Sequence, residues 1–238
     1  MMRRSVVRRI LPVIVLLFGA GAVIIAAGKR DKPISAAAMQ EPDRCLVIDA
    51  GHGGLDGGAV SAEGVKESGI NLAVACKLWD ICRFLGVDCC MTRCSEELEY
   101  PENACSIREK KLWDQQRRVA LANETPGAVL LSIHQNLYPD ARPSGTQVFY
   151  AATDGSEELG KRTHSLLTAH LCPENRRVAA PSSEEIYLMK RVRCPAILVE
   201  CGFLSNSEEA RKLCEADYQR KLAVILCASY IQTFMNVI

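Results

Sequence analysis

Three apolar runs in this chain end the same way, on an ionisable residue followed by small or turn-forming ones. They are Leu46-Val47-Ile48-Asp49-Ala50-Gly51-His52-Gly53-Gly54, Leu130-Leu131-Ser132-Ile133-His134-Gln135-Asn136 and Ile197-Leu198-Val199-Glu200-Cys201-Gly202. Two histidines and a glutamate in such places suit metal-assisted hydrolysis. A catalytic zinc takes three protein ligands and keeps one position open for water, and a nearby carboxylate can carry the proton. His52 and His134 would supply two ligands. The third, usually a carboxylate, could be Glu67, Asp49, Asp56, Glu63 or Glu200, and spacing does not choose among them. Each residue has a plainer reading too. His52 lies among glycines 51, 53, 54, 57 and 58 and could be incidental to a turn. His134 could be a satisfied core histidine, and Glu67 a solvated acid in a first helical turn, where acids are favoured. The two other histidines, His164 and His170, fall on a polar helix and are expected at the surface.

The elements that must position these groups alternate between short apolar runs and amphipathic stretches. Strands are expected at Cys45–Asp49, Val87–Thr92, Ala128–Ile133, Thr146–Ala151, Ile186–Met189 and Ala196–Glu200. Ile70, Val74, Leu78, Ile81 and Leu85 repeat at three- and four-residue steps and mark one helix face, with Gly86 as its stop. Further helices are expected near 107–123, 155–171, 207–214 and 217–235. The alternation predicts an α/β fold, a twisted and mostly parallel sheet flanked by helices, forming one catalytic domain. Ligands of open α/β sheets gather at the carboxyl ends of the strands. His52, His134 and Glu200 should therefore converge, although 82 and 66 positions separate them along the chain.

Charge divides the chain. Residues 1–32 carry seven Lys/Arg and one Asp, and the remainder has 22 basic and 27 acidic residues. A mildly acidic domain is a poor partner for a phosphate backbone, so nucleic acid is not expected. Arg3, Arg4, Arg8 and Arg9 precede an uncharged apolar run, residues 10–28, which as a helix spans roughly 28 Å, enough for a hydrocarbon core. Residues 1–28 are read as an N-terminal signal anchor, or alternatively a signal peptide cleaved near Ala36-Ala37-Ala38. Residues 29–43 are read as a linker and 44–238 as the catalytic domain. The flanking arginines keep the N-terminus in the cytoplasm and send the domain across the membrane. Of the twelve cysteines most fall in core-like runs, with no C-x-x-C pair, and are expected as small buried free thiols. A Cys94–Cys105 bridge across a loop is the alternative for that pair.

Four stretches, LVIDAGHGGLDGGA (46–59), GVKESGINL (64–72), LLSIHQN (130–136) and ILVECGFLSN (197–206), resemble the motifs of the zinc-dependent N-acetylmuramoyl-L-alanine amidases, in the family's order and over nearly all of residues 45–235. GTQVFY (145–150), ENRRVA (174–179), YLMK (187–190) and the basic anchor are most similar to the sporulation and germination amidases of spore cortex. The resemblance implies one zinc ion held by His52, Glu67 and His134, Glu200 as the catalytic carboxylate, and Asn136 touching substrate or orienting the site. It implies a framework role for Arg118 and Asn123. Gly57 departs from a proline common in relatives and changes only turn stiffness. The implied activity is hydrolysis of the amide between N-acetylmuramic acid and L-alanine in peptidoglycan, on the outer side of the membrane, with room for an accessory or activator protein. Two alternatives remain: a zinc peptidase acting within the stem peptide, and a tethered peptidoglycan-binding protein with weak or partner-dependent activity.

Overall fold

The computed structural model describes residues 44–235. The proposed membrane segment at 10–28 and the linker at 29–43 lie outside the described residues. Among the described residues no helix is long and apolar enough to cross a membrane.

The chain runs β1 (Cys45–Ala50), α1 (Glu67–Phe84), β2 (Cys89–Met91), α2 (Ile107–Glu124), β3 (Ala128–Asn136), β4 (Gln147–Tyr150), α3 (Ser156–Leu171), β5 (Ala180–Pro181), α4 (Tyr187–Arg191), β6 (Ala196–Phe203), α5 (Ser207–Cys214) and α6 (Ala216–Phe234). The six strands form one sheet in the order β2-β1-β3-β6-β4-β5. β2, β1, β3 and β6 are mutually parallel, and β4 runs antiparallel to β6 with β5 parallel beside it. The sheet is thus mixed, with its parallel half carrying the three motif-bearing strands.

Alternation along the strands explains the two cores, since successive side chains point to opposite faces. Leu46, Ile48, Leu131, Ile133 and Val199 pack with Val74 and Leu78 of α1, Leu159 of α3 and Leu222 and Leu226 of α6. Val47, Leu130 and Leu198 face the other way, onto Ala122 of α2 and Leu188 and Met189 of α4. The helices begin and end by identifiable devices. Ser106 Oγ accepts from Glu109 N at 3.2 Å, and the Glu109 carboxylate accepts from Ser106 N at 2.8 Å, a reciprocal cap that starts α2. Past the end of α1, Gly86 N–H bonds to Arg83 O and Val87 N–H to Cys82 O, with Gly86 at φ +71°. That is the left-handed stop expected of this glycine.

Three expectations need correction. Ile186–Met189 is not a strand: Tyr187–Arg191 is a short helix, with the Arg191 guanidinium 3.8 Å from the Tyr187 ring centroid. A four-residue apolar run fits either conformation, and only packing decides. Strand β5 lies instead at Ala180–Pro181, on the sheet edge where a residue without an N–H is tolerated. His164 is buried at 7% exposure instead of lying on the surface, and its Nε2–H donates to Arg177 O at 2.7 Å. All twelve cysteines are free, Cys94 and Cys105 included, but only Cys82, Cys201 and Cys227 are buried, six are half-buried and three are exposed, so most are not the buried side chains that their apolar runs suggested.

Candidate metal centre and active site

His52 follows β1 by two residues, at φ +60°, and is the single non-glycine at positive φ among the described residues. Its ring is turned so that Nδ1 donates to Asp56 Oδ2 at 2.9 Å, leaving Nε2 3.3 Å from Glu67 Oε2. An imidazole whose far nitrogen is fixed by a carboxylate has both tautomer and direction set, the usual support for a metal-ligating histidine.

Glu67 opens α1. The N-terminus of that helix has no side-chain cap; its first amides bond to loop carbonyls, Glu67 N to Ala59 O at 2.8 Å and Ser68 N to Gly57 O at 3.1 Å. The loop after His52 therefore satisfies the helix's orphan donors and sets Glu67 opposite the histidine. The Glu67 carboxylate accepts from Ala59 N and Gln135 N, and from Asn71 Nδ2. Its Oε1 lies 3.0 Å from His134 Nδ1. Burial opposes its ionisation, but bonds from the two histidines override this and hold its carboxyl well below the ordinary range.

His134 lies within β3, which extends three residues beyond the expected strand and carries an irregularity between His134 and Asn136. The ring rests on Gly51, where an added Cβ would stand 2.3 Å from His134 Nε2, so a side chain at position 51 would displace that ring. Gly58, at φ +67°, is equally constrained, because a Cβ there would meet Glu67 and His52. The His52 and His134 rings meet edge to face, with centroids 4.9 Å apart.

Ligand atoms of His52, Glu67 and His134 all lie within 4.8 Å of one another. Two imidazoles and one carboxylate form the donor set of a catalytic zinc site with an open position. The charges agree. Burial works against a charged His52, yet Asp56 and Glu67 hold its imidazole up at about 9. Two carboxylates about these imidazoles favour positive charge at the site, and the residues fit a divalent metal ion. The other sequence candidates do not join this group. Glu63 is exposed and bonded to Ser61 Oγ, and Asp49 is fully buried below the site.

Glu200 stands beside His134, paired with it in register across β3 and β6. Burial pushes its carboxyl up to about 7 against the pull of the nearby histidines. Its Oε2 is enclosed and bonds to nothing among the described residues. A buried unpaired carboxylate oxygen is unusual in a native structure and is consistent with a group kept for chemistry. Asn136 ends β3; its backbone carbonyl accepts from Leu204 N at 2.8 Å, and its carboxamide makes no hydrogen bond to a described residue.

Sequence reasoning missed the supports. Asp56 was a rival ligand; it orients His52 and is paired with Lys111 Nζ of α2 at 2.9 Å. Its place four residues from His52 was the available signal, whereas nothing local marked Lys111. Arg118, expected only in the framework, donates to Asp49, Asp114 and the carbonyls of Ala50 and His52. Arg93, unremarked in the sequence, donates to the carbonyls of Ala50, Gly51 and Ser68. Asn123 has the expected framework role, bridging α2 to Arg191 O and Arg193 N.

Comparison with known proteins agrees with this geometry. The chain is 34% identical to the germination-specific N-acetylmuramoyl-L-alanine amidase of Bacillus subtilis (strain 168) over 192 residues, covering 80% of each protein. Its fold matches the CwlD amidase of Clostridioides difficile, solved in complex with the GerS lipoprotein, at TM-score 0.76 and 32% identity, over 82% of this chain and 100% of that one. An N-acetylmuramoyl-L-alanine amidase of Clostridium difficile 630 matches at TM-score 0.70 and 26% identity, over 82% and 98%. Zinc is the usual cofactor of such enzymes. The family profile for N-acetylmuramoyl-L-alanine amidase matches residues 46–230, and the chain belongs to that family of peptidoglycan hydrolases.

Proposed function

We propose that this amidase holds one zinc ion through His52, Glu67 and His134, uses Glu200 as its proton carrier, and removes stem peptides from peptidoglycan during spore cortex maturation. The observation that carries the reading is the convergence of the three donors within 4.8 Å beside a carboxylate oxygen that has no other partner. When bound there, zinc supplies Lewis acidity, which polarises an amide carbonyl and makes a water more acidic.

The chain's own residues supply the rest. Asp56 engages His52 Nδ1, so that Nε2 is the nitrogen turned toward the other two ligands. Glu67 is held ionised by the bonds around it and is available as a ligand at neutral pH. Glu200 Oε2 takes the proton of the water that attacks the lactyl carbonyl of muramic acid. It then gives that proton to the alanine nitrogen as the C–N bond breaks, which turns a poor amide leaving group into a neutral amine. Asn136, with its carboxamide uncommitted at the end of the same strand, is assigned to substrate amide groups.

The cortex role is supported by the germination-specific relative. A lipoprotein is the class of accessory partner suggested by the complex of the C. difficile amidase. We assign residues 1–28 to a membrane anchor, 29–43 to a linker and 44–238 to the catalytic domain, which puts the site on the wall or cortex side. The test is mass spectrometry of muropeptides after digestion with the purified enzyme and zinc, alongside metal analysis of His52→Ala and His134→Ala. Free L-alanine amino ends, an intact lactyl carboxylate and loss of zinc from both variants are expected. Cleavage inside the stem peptide, or zinc retained in both variants, refutes the reading.

A further inference from the structure

Two buried guanidinium groups lie under the His52 loop, and the chemistry above uses neither. Arg118 of α2 and Arg93 just after β2 are 4% and 5% exposed. Between them they occupy three consecutive carbonyls. Arg118 Nη1 donates to Ala50 O at 2.7 Å and Nη2 to His52 O at 2.5 Å. Arg93 Nε donates to Ala50 O at 3.0 Å, and its Nη2 reaches Gly51 O at 3.2 Å and Ser68 O at 2.7 Å. The last of these carbonyls belongs to the first turn of α1, directly after Glu67, so one guanidinium ties together the segments carrying two of the three ligands.

Each arginine is anchored from behind by acids, Arg118 by Asp49 of β1 and by Asp114 one turn back on α2, and Arg93 by Glu96 three residues on. Asp49 and Asp114 hold Arg118 at 2.6 and 2.8 Å, and Asp49 is itself fixed by Thr92 Oγ1 and Ser132 Oγ. Glu96 and Ser95 O hold Arg93. Burying two fixed cations close to a cation site is costly in itself. Filling the free carbonyls alone would need no charge, because amides, hydroxyls or water do so. What the planar, rigid fork of arginine adds is direction at several acceptors at once. The conformation gripped is the unusual one: His52 sits in the left-handed region, where a non-glycine residue persists only if its surroundings over-determine it.

We infer that Arg93 and Arg118 are positioning residues of the metal centre, which grip the carbonyls of residues 50–52 and so hold His52 in the left-handed conformation that turns Nε2 toward Glu67 and His134 before any metal arrives. This rests on the ligand assignment proposed above. The role differs from a general framework role in one measurable respect. Loosening the clamp weakens zinc binding more than it weakens the fold, because the metal must then select the rare loop conformer itself.

The experiment uses the full-length chain and compares Arg118→Lys, Arg93→Lys, Asn123→Ala and His52→Ala. Zinc dissociation constants are measured by chelator competition, and thermal midpoints are taken on zinc-stripped protein. Asn123→Ala removes the tie from α2 to Arg191 O and Arg193 N without touching either clamp arginine, so it calibrates what destabilisation alone does to zinc affinity. Arg118→Lys and Arg93→Lys should each weaken zinc by about 10–100-fold, the usual effect of losing support behind a ligand, with Asn123→Ala changing it about threefold or less. The visible spectrum of the cobalt-substituted lysine variants should shift relative to wild type. Zinc affinities of both lysine variants within threefold of Asn123→Ala would overturn the inference. If Arg118→Lys fails to fold, Arg93→Lys decides alone. His52→Ala separates the two failures: if it keeps its zinc, the ligand assignment falls, and if it loses zinc while the lysine variants do not, only the clamp falls.

Discussion

Replacing Glu200 by Gln isolates the proton-carrying step, because the change is nearly isosteric and touches none of the three metal donors. The structure predicts two opposite stability effects. Its carboxyl is raised from 4.5 to about 7 by burial. A raised acid destabilises the fold once the pH passes its unfolded value, so Gln should relieve a penalty on the order of 3 kcal/mol at pH 8 in metal-free protein. Against this, an amide placed where Oε2 has no partner costs about 1–3 kcal/mol. The two nearly cancel, and the thermal midpoint should stay within a few degrees of wild type. Activity has no such compensation. A general acid–base group contributes about 10²–10⁴-fold; one carboxylate serving both water and leaving nitrogen places the loss near 10⁴, about 5.4 kcal/mol of barrier. The assay is amide cleavage on purified peptidoglycan with zinc content and midpoint measured on the same preparation. In wild type the acid limb of the rate should lie between pH 4.5 and about 7, because a bound cation pulls the carboxyl down from its metal-free value. A fully zinc-loaded, folded Glu200→Gln enzyme within tenfold of wild type would refute the reasoning.

Gly51→Ala should lower zinc content and activity together with little change in far-ultraviolet circular dichroism, because its Cβ would stand 2.3 Å from His134 Nε2 and displace that ring; a zinc-replete alanine variant would contradict this. Asp49→Ala should lose about 3–5 kcal/mol in urea unfolding, since it removes one of the two carboxylates paired with the buried Arg118 guanidinium and leaves the Thr92 and Ser132 hydroxyls without their acceptor. Burial opposes ionisation of Asp49, but Arg118 and the two hydroxyls hold its carboxyl below 3.8. Its stabilisation is therefore complete above that pH and lost as the pH falls through the lower folded value, and Asp49→Asn should flatten this acid limb of a stability–pH curve. Thiol titration of protein unfolded without reductant should find twelve reactive groups, and a majority of oxidised cysteines would contradict the free-thiol arrangement.

The parts of this molecule written in periodic patterns were legible before any coordinates. The face Ile70, Val74, Leu78 marks α1 unambiguously, and the apolar runs before His52, His134 and Glu200 become adjacent parallel strands. Convergence followed from the carboxyl-edge rule, although β3 and β6 run past His134 and Glu200, so these two lie on strands instead of beyond them. Choosing Glu67 over Asp56 needed the family motifs, because both acids are close in sequence to His52 and only the ring's orientation separates ligand from support. Lys111 and Arg93 were invisible for a different reason. Lys111 pairs with an acid 55 residues away, and the three carbonyls that Arg93 holds at the site lie 25 to 43 residues away, contacts that no local pattern encodes. His164 misled because a polar helix face suggested water, whereas the 172–178 loop folds over it and accepts its proton at Arg177.

His52, His134 and Glu200 come from segments brought side by side by parallel pairing, β1 with β3 and β3 with β6, across crossovers of dozens of residues, and Glu67 opens the helix that follows β1. Long-range parallel pairing closes late, because loop entropy must be overcome before the contacts that offset it exist. The metal site is therefore incomplete until β1 and β3 have paired, while every unfolded chain presents twelve thiols, a group that binds zinc without a fold. Metal held by the unfolded state subtracts from the stabilisation that binding confers on the native one. Refolding in excess zinc should then be slower than refolding followed by zinc addition, and the order of folding and loading becomes a property that the sheet topology imposes on any cell compartment where this enzyme matures.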